Sequence, residues 1–161
     1  MLTDTDLVHL RRCVALAHAA YDAGEEPFGS VLVSPEGQTL FEDHNRTSRD
    51  DQTRHPELEI ARWAGTHLSR EERGRCTVYT SGEHCPMCSA AHAWAGLGRI
   101  VYAVSTQQLA GWRDGWGLAP GPVAPLPVQA VAPGLAVSGP APELEDEMHE
   151  LHRRQVERSR R

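Results

Sequence analysis

Two short runs carry the residue types that do chemistry: His55-Pro56-Glu57 and Cys85-Pro86-Met87-Cys88. In each, a proline stands where the first residue of a helix belongs, since its fixed φ suits a first turn whose N–H has no partner anyway. Cys85 and Cys88 are three positions apart and so share a face of that turn. The unpaired amides and the positive end of such a helix stabilise thiolates. His55 adds a neutral third ligand. Three protein ligands leave one position of a tetrahedral zinc ion for water, the pattern of a catalytic site. Glu57 is in phase with Ala61, Ala64 and Leu68, and a carboxylate on an apolar stripe is costly to bury without a task. Beside an activated water it has one. It takes the proton as water attacks an amidine-like carbon, then returns it to the ring nitrogen and the departing amine.

Other readings of the same residues stay open at this level. Cys85-Pro86-Met87-Cys88 alone, after a strand and opening a helix, also suits a thioredoxin-like redox pair. A structural zinc site would want a fourth ligand, for which His84 and His92 are the candidates. His84 falls on the strand-to-helix turn and reads as a surface or supporting residue, which leaves His92 the better rival. Cys13, in the first helix, and Cys76, at a strand start, read as core thiols.

The elements that must position these groups follow from the pattern. Leu7, Leu10, Val14, Ala17 and Tyr21 recur at helical spacing, so a helix is expected over residues 3–23, with Gly24 as its stop. Strands are expected over 28–34 and 39–42 around the turn Pro35-Glu36-Gly37. The polar stretch 43–54 reads as a loop, 56–68 as a helix and 69–75 as a charged connection. A strand over 77–80, a helix from Pro86 to Gly96 or Gly98 and a strand over 100–104 make a parallel crossover unit. Residues 107–117 read as a loop. The Pro- and Gly-rich stretch 119–142 is too apolar for a solvated linker and is expected to form short packed strands and turns. A polar helix at 143–158, with Leu144, Met148, Leu151 and Gln155 on its stripe, is expected to cap the domain, close the pocket or pack on a second subunit.

Composition narrows the classes. The 161 residues suit one domain, 1–161, with a real core. A net charge of -6 works against a protein held mainly by a polyanion. All 16 basic residues are Arg, which removes lysine Schiff-base chemistry and the lysine-dependent phosphate loop. The absence of a signal-like segment or a bilayer-length apolar run points to the cytoplasm and to no membrane. The four cysteines are then thiols or metal ligands rather than a disulfide framework.

One His, two Cys and a nearby non-ligating Glu form the signature of nucleobase deaminases. His55-Pro56-Glu57 followed by Tyr79-Thr80-Ser81-Gly82-Glu83-His84-Cys85-Pro86-Met87-Cys88 resembles the cytidine-deaminase-like superfamily, in the branch of bacterial guanine deaminases and tRNA adenosine deaminases. The resemblance runs from about Gly24 to Val104. It implies a three-layer α/β/α fold around a mixed sheet of about five strands, a Zn2+ cofactor and a homodimer. It also implies that Asn45 hydrogen-bonds the ring, that Phe28 of Pro27-Phe28-Gly29 lies beside the pocket, that the Cys85 amide helps hold the substrate and that Glu83 organises the zinc turn. Asp114, between Trp112 and Trp116, falls where guanine deaminases carry an assisting acid, and Trp112 offers stacking surface. Pro56 stands where the family usually has Ala, and Gly82 and His84 replace its Cys or Glu and its Pro.

The expected substrate is therefore a small heterocycle with an exocyclic amine: guanine first, then another purine, a pterin, a triazine or cytosine. One alternative is adenosine-to-inosine editing of tRNA, for which Arg46, Arg49 and Arg54 crowd the pocket-side loop while Asp43, Asp50 and Asp51 offset them. The other is a non-catalytic zinc or redox protein, which would tolerate loss of Glu57.

Overall fold

The computed structural model describes residues 1–48 and 50–161. Helix α1 (Asp4–Asp22) is followed by β1 (Gly29–Val33), β2 (Thr39–His44), α2 (Pro56–His67), α3 (Arg70–Arg75), β3 (Thr77–Gly82), α4 (Pro86–Ala95) and β4 (Ile100–Val104). Helices α5 (Thr106–Gly115) and α6 (Val128–Val131), strand β5 (Val137–Ser138) and helix α7 (Pro142–Ser159) complete the order. The sheet runs β2-β1-β3-β4-β5. β1 is antiparallel to β2 and β3, whereas β3, β4 and β5 are parallel, as the β3-α4-β4 crossover requires.

Alternation along the strands sends side chains to two cores, which makes three layers. Val31, Val33, Tyr79, Val101 and Ala103 meet α1 and α7 on one face. Leu32 and Val78 meet Ile60, Ala61 and Ala64 of α2 on the other. Cys13 and Cys76 are buried thiols, as expected. α1 crosses β1 so closely that a Cβ on Gly29 would lie 2.4 Å from Leu16 Cβ and 2.5 Å from Cys13 O. Glycine is what lets the helix dock there and brings Phe28 to the sheet end that carries the metal motifs.

Three segments differ from the sequence expectation. Residues 107–117 are mostly helix: Ser105 and Gln108 form a capping box at the start of α5. The box outweighs the unfavourable helix propensity of Gly111. Ser69 and Glu72 do the same for the short α3. In the Pro-rich stretch only the second half packs. Val128, Ala132 and Ala141 are buried, while Val123 and Leu126 are 55% and 44% exposed. Helix α7 caps its own sheet through Leu144, Met148 and Leu151, with Val156 buried at the next turn and Gln155 half-buried. Among the described residues no helix is long and apolar enough to cross a membrane.

Candidate metal and catalytic site

His55 is the N-cap of α2, Cys85 is the N-cap of α4, and Cys88 lies in the first turn of α4. β2 and β3, which lead into α2 and α4, end side by side around the start of β1 and so place the two helix starts at one end of the sheet. His55 Nδ1 lies 3.5 Å from Cys85 Sγ and 3.6 Å from Cys88 Sγ. The three ligand atoms all fall within 4.8 Å of one another. Zinc bonds of about 2.3 Å to sulfur and about 2.0 Å to nitrogen, at a tetrahedral angle, set N and S about 3.5 Å apart. The donor set therefore fits the ion in both chemistry and spacing.

The electrostatics agree. The shared hydrogen bond with Cys88, followed by the His55 ring, holds the Cys85 thiol at about 4 despite its burial. The same bond and burial push Cys88 up. The bond to Cys85 raises His55 against its burial.

Glu57, 6% exposed, sits in the first turn of α2 on the apolar stripe. Burial pushes its carboxyl up, partly offset by His55 and the Thr80 hydroxyl. Its Oε1 is 2.9 Å from Thr80 Oγ1 and 3.0 Å from Ser30 Oγ, and the two hydroxyls lie 2.8 Å apart. Thr80 Oγ1 is also 2.9 Å from Gly82 O. Ser30 and Thr80 are functional residues that sequence reasoning missed. The available signal is a fully buried hydroxyl on each of two apolar strands that pair directly, Ser30 opposite Thr80.

These groups open on a cavity of about 680 Å³ lined by His55, Glu57, Cys85, Asn45, Phe28 and Asp114, among others. Asn45 is buried and donates to Thr47 Oγ1 at 3.1 Å. Phe28 rests against Gly82, where a Cβ would come within 3.0 Å of Phe28 Cε1, so the glycine makes room for the ring. Asp114 lies exposed on the last turn of α5.

Trp112, expected to stack on substrate, does not line the cavity. α5 presents Thr106, Leu109, Ala110, Arg113 and Asp114 to the cavity. At 100° per residue, Trp112 points about 130° from the centre of that face. Its ring meets His149 of α7 at 4.9 Å instead.

His84, expected on the surface or as a supporting residue, is not on the surface: it is 1% exposed, with neither ring nitrogen partnered among the described residues. Burial keeps it neutral, far below the ordinary histidine range. His92, the rival ligand, bonds Gly98 O through Nε2 at 2.7 Å and meets His84 edge-on, and it does not join the metal cluster. Glu83 reaches beyond the zinc turn. Its carboxylate accepts the amides of Thr106 (2.8 Å) and Val128 (2.9 Å), pinning the first residues of α5 and α6. Of the loop arginines, Arg46 pairs with Asp43 at 3.0 Å, neither Arg46 nor Arg54 lines the cavity, and Arg49 lies outside the described residues.

Residues 3–104 match the family model described as the cytidine and deoxycytidylate deaminase zinc-binding region. The chain belongs to this family. It is 32% identical over 108 residues to a probable cytosine deaminase of Schizosaccharomyces pombe, covering 67% of this chain and 65% of that protein. It is 38% identical over 96 residues to the guanine deaminase of Bacillus subtilis, covering 58% of this chain and 61% of that one. The chain thus spans less than two thirds of either relative's length. The solved guanine deaminase from Nitrosomonas europaea shares the fold, with a TM-score of 0.70 at 19% identity over 96% of this chain and 85% of that one. This is a deaminase-family fold equipped to bind zinc.

Proposed function

We propose that this chain is a zinc-dependent aminohydrolase that releases ammonia from the exocyclic amine of a free nucleobase or small aminated heterocycle, with guanine the leading candidate. The observation that carries the reading is Glu57: a buried carboxylate, oriented by two hydroxyls, sharing one cavity with His55 and Cys85. Zinc held by His55, Cys85 and Cys88 would supply Lewis acidity that lowers the pKa of the attacking water.

The chain's own residues do the rest. Glu57 takes a proton from the water as its oxygen bonds to the amine-bearing carbon, and delivers it to the adjacent ring nitrogen. It then moves the second proton of that oxygen to the amine. The C–N bond breaks, ammonia leaves and the carbon becomes a carbonyl, so substrate and water are converted to ketone-form ring and ammonia. A carboxyl raised by burial suits both taking and returning a proton. Asn45 offers amide groups to the ring edge and Phe28 a stacking face. Asp114, on the cavity wall, assists proton movement at the mouth.

The test is ammonia release by the zinc-loaded protein from guanine, adenine, cytosine, a pterin and aminated triazines, with Glu57→Gln in parallel. Turnover of at least one ring, lost by a factor of about a thousand or more in Glu57→Gln, is the expected result. Activity retained by the variant would overturn the reading.

A further inference from the structure

The cavity is built unevenly. Its polar lining includes His55, Glu57, Asn45, Gln52, Thr106 and Asp114. The segment 118–125 lines the same cavity, as do Leu109 and Ala110 of α5. The run Leu118-Ala119-Pro120-Gly121-Pro122-Val123-Ala124-Pro125 contains no side-chain hydrogen-bonding group, and its three prolines have no N–H to offer. Such a wall offers a ribose hydroxyl no side-chain partner, whereas it offers an apolar group contact along its whole length. Charge at the mouth does not suit a phosphate either: Arg113 faces Glu26 at 3.8 Å, and Asp114 adds a second carboxylate.

The wall is also preformed. The Leu118 amide bonds Arg113 O at 3.0 Å, and the Val128 amide is held by Glu83 at the far end. Residues 119–126 nevertheless remain exposed, so apolar surface is held open to water. At about 680 Å³ the cavity lies in the upper half of the range for small-molecule sites, roughly 300–1,000 Å³, and a bare ring at the triad leaves much of it unfilled.

We infer that the substrate carries an apolar substituent, aromatic or branched alkyl, on the ring atom opposite the amine, and that residues 118–125 form the subsite that seats it. The inference rests on the deaminase reading above. The occupant belongs to the substrate because triad and wall bound the same cavity. A molecule whose amine reaches Glu57 and whose bulk fills that cavity meets Pro122 and Val123 on its wall. Burying that group removes both its own surface and the wall's from water.

The experiment compares guanine, adenine and cytosine as free base, as riboside and as the benzyl derivative at the sugar-bearing nitrogen. It reads kcat/KM on the zinc-loaded protein and Kd by calorimetry on zinc-loaded Glu57→Gln. At least one benzyl compound is expected to exceed its parent base by about tenfold or more in both readouts, with the riboside below it. Val123→Asp, at a position 55% exposed, should cut the benzyl compound about tenfold more than it cuts the parent base, with an unchanged Tm showing that the fold is kept. Free bases or ribosides that match or exceed the benzyl compounds would overturn the subsite and leave the deaminase reading standing. If no compound is turned over, the deaminase reading fails by itself, and calorimetry still decides the subsite: equal Kd for benzyl and parent compounds overturns it.

Discussion

Thr80→Val keeps the shape of a fully buried strand residue and removes a single hydroxyl. That hydroxyl is 2.9 Å from Glu57 Oε1, so the carboxylate loses a hydrogen bond of the charged kind, worth about 1.5–3 kcal/mol. If Glu57 must be ionised and aimed to take the proton, that energy appears in the barrier as about a tenfold to hundredfold loss of kcat/KM. Ser30 limits the damage. Its Oγ is 3.0 Å from the same carboxylate oxygen and 2.8 Å from Thr80 Oγ1, so loss of Thr80 lets its one proton turn wholly to Glu57. The single variant should therefore fall near tenfold. Ser30→Ala combined with Thr80→Val should fall by about a thousandfold, more than the two single losses multiplied, because each hydroxyl covers for the other. The assay is kcat/KM for ammonia release, with zinc content and Tm measured on the same preparations. A double variant with wild-type kcat/KM and full zinc would refute the reasoning. So would activity lost only in proportion to zinc, since the hydroxyls would then be acting on the metal site instead of on Glu57.

Other outcomes follow from particular contacts. Glu83→Ala leaves the amides of Thr106 and Val128 without their carboxylate, which should cost about 2–3 kcal/mol of stability by denaturant titration and open residues 119–127 to proteolysis; unchanged cleavage would show that α5 and α6 hold the wall unaided. Gly29→Ala drives a methyl into Leu16 and the Cys13 carbonyl and should destabilise by about 3 kcal/mol or more; an unchanged Tm would mean that α1 can move off the sheet freely. Asp6 supplies a pH dependence. Burial alone would raise its carboxyl, but bonds from the Thr3 amide, Arg99 and Tyr79 outweigh burial and hold it at about 2, below its ordinary 3.8. The stabilisation, about 2 kcal/mol, is full above about pH 4 and is lost as pH falls through about 2. Asp6→Asn should flatten the stability profile between those limits, and an equally steep acid limb in the variant would place the effect elsewhere.

The chemistry of this chain was legible in the sequence wherever it is local. The metal ligands lie within one helical turn of a Pro-marked helix start, and helix geometry alone aims Cys85 and Cys88 together. Glu57 was betrayed by its phase on an apolar stripe. β1, the β3-α4-β4 crossover, α1, α2 and α7 were all carried by periodicity and end signals. The resemblance supplied what periodicity could not, a mixed sheet of five strands, and β5, only two residues long, is below what any pattern could show. α5 was misread because its glycines and tryptophans drew attention from the Ser105–Gln108 capping box. Once that segment is a helix, angular position, not composition, decides that Asp114 faces the cavity and Trp112 does not.

What only the tertiary structure decided involves groups far apart along the chain. The meeting of Ser30 and Thr80 on Glu57 depends on β1 pairing with β3 in a register that no segment encodes by itself. Gly82 makes room for Phe28, Glu83 reaches forward to α5 and α6, and His84 disappears beneath α4 beside His92. The apolar stretch 118–126 looked as though it should bury itself. Its proline-locked backbone, anchored at both ends, holds it open against the cavity instead. Sequence by itself determined which atoms could hold a metal and move a proton, because His55 and Glu57 share the start of one helix, and Cys85 and Cys88 the start of another. The shape of the space they act on was left to the packing of α5 and the 118–125 wall, because that shape is a property of surfaces meeting rather than of any segment's own preference.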